Sequence, residues 1–137
     1  MIICSTIFWI SSTVVNPVYG EMKFDQFRQL KIEEIKERLK SINEDPVDAV
    51  EYFNLGIAYM AMGRHRQEIN SYLEAIRLNS NYAQAHFNLA MAHDNIGNGE
   101  KAINHARRAE NLYSEQRKHR QVRKVRRQLN ILNEKYK

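Results

Sequence analysis

Apolar side chains recur at helical intervals along most of this chain. Tyr52, Leu55, Ile57, Ala58, Tyr59 and Met62 share one face of a predicted helix; Ile69, Tyr72, Leu73, Ile76 and Leu78 share one face of the next. Gly63 lies between the two, where a helix end favours a left-handed residue. Asp45-Pro46 followed by Asp48 reads as a helix start, with a capping side chain, a proline in the first helical position and an acid in the first turn. Upstream, Phe24, Phe27, Ile35, Leu39 and Ile42 predict a helix over 22–42. Downstream, Val122, Val125, Leu129, Leu132 and Tyr136 form one narrow apolar stripe in a predicted closing helix over 115–136.

One line of the pattern is written twice. "YFNLGIAYMAMG" at 52–63 has a partial echo in "HFNLAMAHDNIG" at 86–97, 34 residues on. The same shift carries Ile69 onto Ile103, Ala75 onto Ala109 and Leu78 onto Leu112. A fixed period of this length signals a repeat architecture in which each unit is a helix, a turn and a second helix. One such pair cannot bury its own apolar face, so the units must stack and need caps at both ends.

Spacing and residue identity together resemble the tetratricopeptide repeat. Leu55, Gly56 and Tyr59 match its Leu-Gly-x-x-Tyr core; Tyr52, Gly63, Tyr72 and Ala75 match further positions. In the second unit Leu89, Ala90, Gly97, Ala102 and Ala109 match, while His86 and His93 replace the two aromatics of the first helix. Glu68 stands where the family has alanine. The resemblance implies an all-α fold, a short right-handed α-solenoid with a capping helix at each end. The chain then divides into a segment 1–20, a capping helix or half-repeat at 21–44, repeats at 45–81 and 82–114, and a basic closing helix at 115–137. The resemblance also implies a non-enzymatic interaction module whose first helices line a concave groove for a protein or peptide. Its candidate residues are Val50, Phe53, Ile57 and Met60 in the first unit, and Gln84, Phe87, Met91, Asp94 and Asn95 in the second. The alternative is that Phe53 and Phe87 merely pack against the N-terminal helix. The family's clamp for a C-terminal carboxylate is missing, since Phe53 and Ile57 occupy its Lys and Asn places.

Charge alters this picture at one end. Residues 21–99 carry nine Lys/Arg against twelve Asp/Glu, whereas residues 100–137 carry twelve against four. The closing helix concentrates Arg117, Arg120, Arg123, Lys124 and Arg127. One reading is a solvating cap. The other is a surface that docks on anionic lipid, nucleic acid or an acidic protein. An end of the stack or the N-terminal helix also offers a route to a homo-oligomer.

Residues 1–20, "MIICSTIFWISSTVVNPVYG", carry no charge and resemble a signal peptide cut after Gly20, which places the protein in the periplasm or outside the cell. The alternatives are a membrane anchor and an apolar helix packed on the domain. Export makes nucleic acid a less natural ligand than lipid. The one cysteine, Cys4, lies in this segment and cannot form an internal disulfide. No Gly-rich phosphate loop is present, and no cofactor is expected. His86 and His93, seven apart, read as packing between helices rather than as metal ligands, because no further ligands stand at recognisable spacing.

Overall fold

Six α-helices follow one another in a computed structural model that describes residues 24–137. They are α1 (Phe24–Glu44), α2 (Ala49–Ala61), α3 (His65–Leu78), α4 (Ala83–Asn95), α5 (Gly99–Glu115) and α6 (His119–Lys135), with no strand among the described residues. The reading of residues 1–20 lies outside them. Each helix packs mainly on its neighbours in sequence, which is the contact pattern of a helical solenoid.

Similar turns link the helix pairs. Gly63 and Gly97 have φ of 66° and 77°, and the next N–H bonds back into the helix, Arg64 to the Tyr59 carbonyl at 3.0 Å and Asn98 to that of His93 at 2.8 Å. The α5–α6 turn uses the same closure without a glycine. Arg117 takes φ of 55°, and Lys118 N–H bonds the Tyr113 carbonyl at 2.9 Å. That conformation costs an L-residue roughly 1 kcal/mol.

The start of α2 differs from the sequence expectation. Asp48 is the N-cap, its carboxylate accepting from Val50 N–H and Glu51 N–H, and the helix begins at Ala49. Asp45 and Pro46 form the preceding turn instead, with the Asp45 carboxylate accepting from Val47 N–H at 3.2 Å. Two aspartates three residues apart offer two competing caps, and the later one holds the helix. The closing helix likewise starts at His119 rather than 115, because α5 runs on to Glu115.

Small residues set the helix spacing. Gly56 of α2 lies against Tyr72 of α3, which is fully buried and tilted on Phe53 with ring centroids 5.7 Å apart. Gly99 accommodates the ring of Tyr136 in the same way. The core is uneven along the stack. Ile35, Leu55 and Ala58 form a small cluster between α1 and α2, whereas a larger one runs through α4, α5 and α6 around Ala90, Ala106, Leu112, Val125 and Leu132. On α1 only Ile35 is buried, and Phe24, Leu30 and Leu39 remain exposed.

The closing helix takes the place of a further first helix. It starts 36 residues after α4, at His119 against Ala83. At that shift the buried His86, Leu89 and His93 fall on the buried Val122, Val125 and Leu129. The exposed or half-buried Gln84, Phe87, Asn88 and Met91 fall on the exposed Arg120, Arg123, Lys124 and Arg127.

Candidate partner-binding groove

Helices α2, α4 and α6 present equivalent faces. On α2, Val50 and Met60 are exposed and Ile57 is half-buried. Phe53 is only 4% exposed; its ring packs on Tyr72 and Tyr82, so it belongs to the core and offers the groove little surface. It does not pack on α1, the alternative that the sequence left open.

On α4, Gln84 is exposed and Phe87 and Met91 are half-buried against the C-terminal cluster. Asn95 is exposed just beyond them. Asp94 is engaged: its carboxylate accepts from Lys135 Nζ at 2.7 Å and from the Tyr136 hydroxyl at 2.8 Å. Burial pushes its pKa up, but those two hydrogen bonds outweigh burial and hold it below the usual value. Asp94 thus latches the end of α6 to α4.

The cleft between α4 and α6 has a volume of about 670 Å³. Gln84, Phe87 and Asn88 line it from α4, Tyr113 from α5, and Arg120, Arg123, Lys124 and Arg127 from α6. Lys124 Nζ lies 5.0 Å from the centroid of the Phe87 ring. Four of the basic residues and two of the second-unit groove residues, Gln84 and Phe87, therefore line one site, while Met91, Asp94 and Asn95 lie outside it. Arg117 does not join it; it sits in the α5–α6 turn. The sequence reading missed Asn88, Tyr113 and Gln121 as lining residues. The signal for the α6 residues was a shift of 36, hidden by the extra length of α5.

The family model of the tetratricopeptide repeat matches residues 52–82 and 83–116. Residues 52–116 are a pair of tetratricopeptide repeats.

No curated protein matches the chain. Among solved structures, PcrH in complex with the chaperone-binding region of PopD is similar, with a TM-score of 0.72 at 19% identity, covering 86% of this chain and 96% of that one. The Yersinia enterocolitica type III secretion chaperone SycD, in complex with a peptide of the translocator YopD, has a TM-score of 0.72 at 21% identity over 95% of this chain and 100% of that one. MamA has a TM-score of 0.60 at 26% identity, over 63% of this chain and 47% of that one. The likeness is one of fold.

Away from the groove, each tetratricopeptide repeat buries polar groups between its helices. In the first, Glu68 is 1% exposed, 3.0 Å from His65 Nδ1. Burial raises its pKa, with His65 opposing. In the second, His86 and His93 pack with His105 of α5. His93 stacks on His105 at 5.7 Å, and the Nδ1 atoms of His86 and His105 are 3.2 Å apart. His86 Nε2 lies 3.3 Å from the Ser80 carbonyl, which can only accept. The proton of neutral His86 is therefore on Nε2, and His105 donates through its Nδ1–H. His93 Nδ1 is buried without a partner. Among the described residues no group of three His, Cys, Asp or Glu is placed to hold a metal ion.

Proposed function

We propose that this protein is a non-enzymatic interaction module that holds a segment of a partner protein across α2, α4 and α6. The observation that carries this reading is the α4–α6 cleft, whose Gln84 and Phe87 stand one period after Val50 and Phe53 of α2. PcrH and SycD, which share the fold, are seen with a region of PopD and a peptide of YopD. The basic helix and the groove are parts of one surface, so a separate electrostatic adaptor is not needed to account for the arginines. The charge-free residues 1–20 support export as the setting.

Val50→Glu with Met60→Glu tests the groove without disturbing the core, because both side chains are exposed. In pull-downs from the native host this double variant is expected to lose the partner that wild type retains, with unchanged helix content by circular dichroism. Identical captures would exclude the groove. N-terminal sequencing of the host protein, fractionated by compartment, tests export: a chain beginning at Glu21 is expected, a full-length chain in the membrane would make residues 1–20 an anchor, and a full-length chain in the cytoplasm would remove export.

A further inference from the structure

Helix α6 carries six Lys/Arg and a single acid, Glu134. Two of the six cations pair with carboxylates. Arg126 Nε donates to Glu110 at 2.7 Å, and Lys135 Nζ to Asp94 at 2.7 Å. The other four are Arg120, Arg123, Lys124 and Arg127, and among the described residues none of them pairs with a carboxylate. These four line the cleft, and no Asp or Glu lines it with them. The cations of this helix are thus sorted: those outside the cleft are paired with carboxylates, and those lining it are not. Mutual repulsion of four like charges on one helix face is unfavourable unless an anion relieves it.

We infer that the groove takes an acidic segment of the partner protein, with Asp or Glu side chains against α6 and an apolar side chain toward Val50 and Met60 of α2. This rests on the groove reading above. The four cations occupy positions i, i+3, i+4 and i+7, about 10 Å of helix. An extended chain covers that distance in roughly three residues, so two carboxylates on alternate residues reach separate cations. Guanidinium groups grip carboxylates through two parallel hydrogen bonds, which suits the three arginines. The side-chain amides of Gln84 and Gln121 flank the same cleft and offer donors and acceptors to a peptide backbone. The shape selects against the other anions. A flat bilayer meets a cleft only at its rims. Single-stranded nucleic acid needs open aromatic faces, and here Tyr113 is buried and Lys124 covers Phe87.

The test is selection from an immobilised random peptide array by the full chain, followed by fluorescence anisotropy on the selected peptides. The proteins compared are wild type, Arg123→Glu with Lys124→Glu, and Arg66→Glu with Arg107→Glu. The last pair makes the same change in net charge at exposed positions outside the cleft. Selected peptides are expected to be rich in Asp and Glu with an apolar residue nearby. The cleft variant should bind them roughly tenfold more weakly, the control within about twofold of wild type. Affinity should fall as salt rises from about 50 to 300 mM. Arg123→Gln with Lys124→Gln gives the same direction of change should charge reversal impair folding. Neutral or basic peptides, sensitive to Val50→Glu with Met60→Glu but not to the cleft variant, would overturn the acidic partner and leave the groove standing. Peptides insensitive to both variants would overturn the groove as well. Phosphatidylserine vesicles or single-stranded DNA binding more tightly than any peptide, with the same sensitivity to the cleft variant, would overturn a peptide ligand.

Discussion

Acidification from pH 6.5 to about 4 is expected to destabilise the fold by up to about 3 kcal/mol through His105 and the two histidines coupled to it. Burial pushes His105 down from 6.5 to about 4, with the neighbouring His86, His93 and Lys101 adding to the shift. Burial also lowers His86, against the Ser80 carbonyl and with Arg108, and lowers His93, with Lys101. The sign follows from where protons bind. Between the folded and unfolded values the unfolded chain is protonated and the folded chain is not. The stabilisation is therefore present above pH 6.5 and is lost as pH falls through the window. Glu68 works in the opposite direction: its raised pKa makes the charged form costly near neutrality, and protonation relieves that cost. Chemical denaturation at several pH values measures the net slope. His105→Leu should flatten it across this window, whereas a slope unchanged by that substitution would mean that the three rings admit water and charge freely.

Gly56→Ala is expected to lower stability by about 2 kcal/mol, or roughly 8 °C in Tm. At an exposed helix position the same change would add about 1 kcal/mol through helix propensity. Here an ideal Cβ would stand 2.5 Å from Tyr72 Cε1 and 2.6 Å from Cδ1. The ring cannot retreat, because it is fully buried, packs on Phe53 and accepts a hydrogen bond from Asn88 Nδ2 at 3.4 Å. Thermal unfolding of the single variants and of Gly56→Ala with Tyr72→Leu closes a double-mutant cycle. The double variant should lose less than the sum of the singles; strict additivity would place the strain elsewhere.

The helix pairs were legible in the sequence because their signals are local and repeated: the echo at 34 residues, the glycine turns, and the small residues that admit a neighbouring helix. What was not legible depended on non-local packing. Phe53 keeps the spacing of a groove residue, yet Tyr72 and Tyr82 draw its ring into the core. Asp94 also keeps that spacing, but its partners, Lys135 and Tyr136, lie some forty residues on, and no periodicity announces them. His105 was not grouped with His86 and His93, because helix-to-helix proximity joins them rather than spacing along one helix. The basic residues were read apart from the groove because α5 is longer than α3, 17 residues against 14, which shifts the next unit out of register.

The uneven core has a mechanical consequence. In a stack held by nearest neighbours, opening starts where fewest apolar groups are shared, and here that is α1 on α2. The C-terminal wall, clamped by the large cluster and by the Asp94 latch, opens last. The α6 wall of the groove is therefore the stiffer one, and the α2 wall, held by its cluster with α3, loses one supporting neighbour when α1 opens. Under the proposed acidic-segment reading, a visiting chain would meet a rigid row of cations first, and the softer apolar side would then yield to side chains of different size. Selectivity for charge would be built into the frame, and selectivity for shape left adjustable.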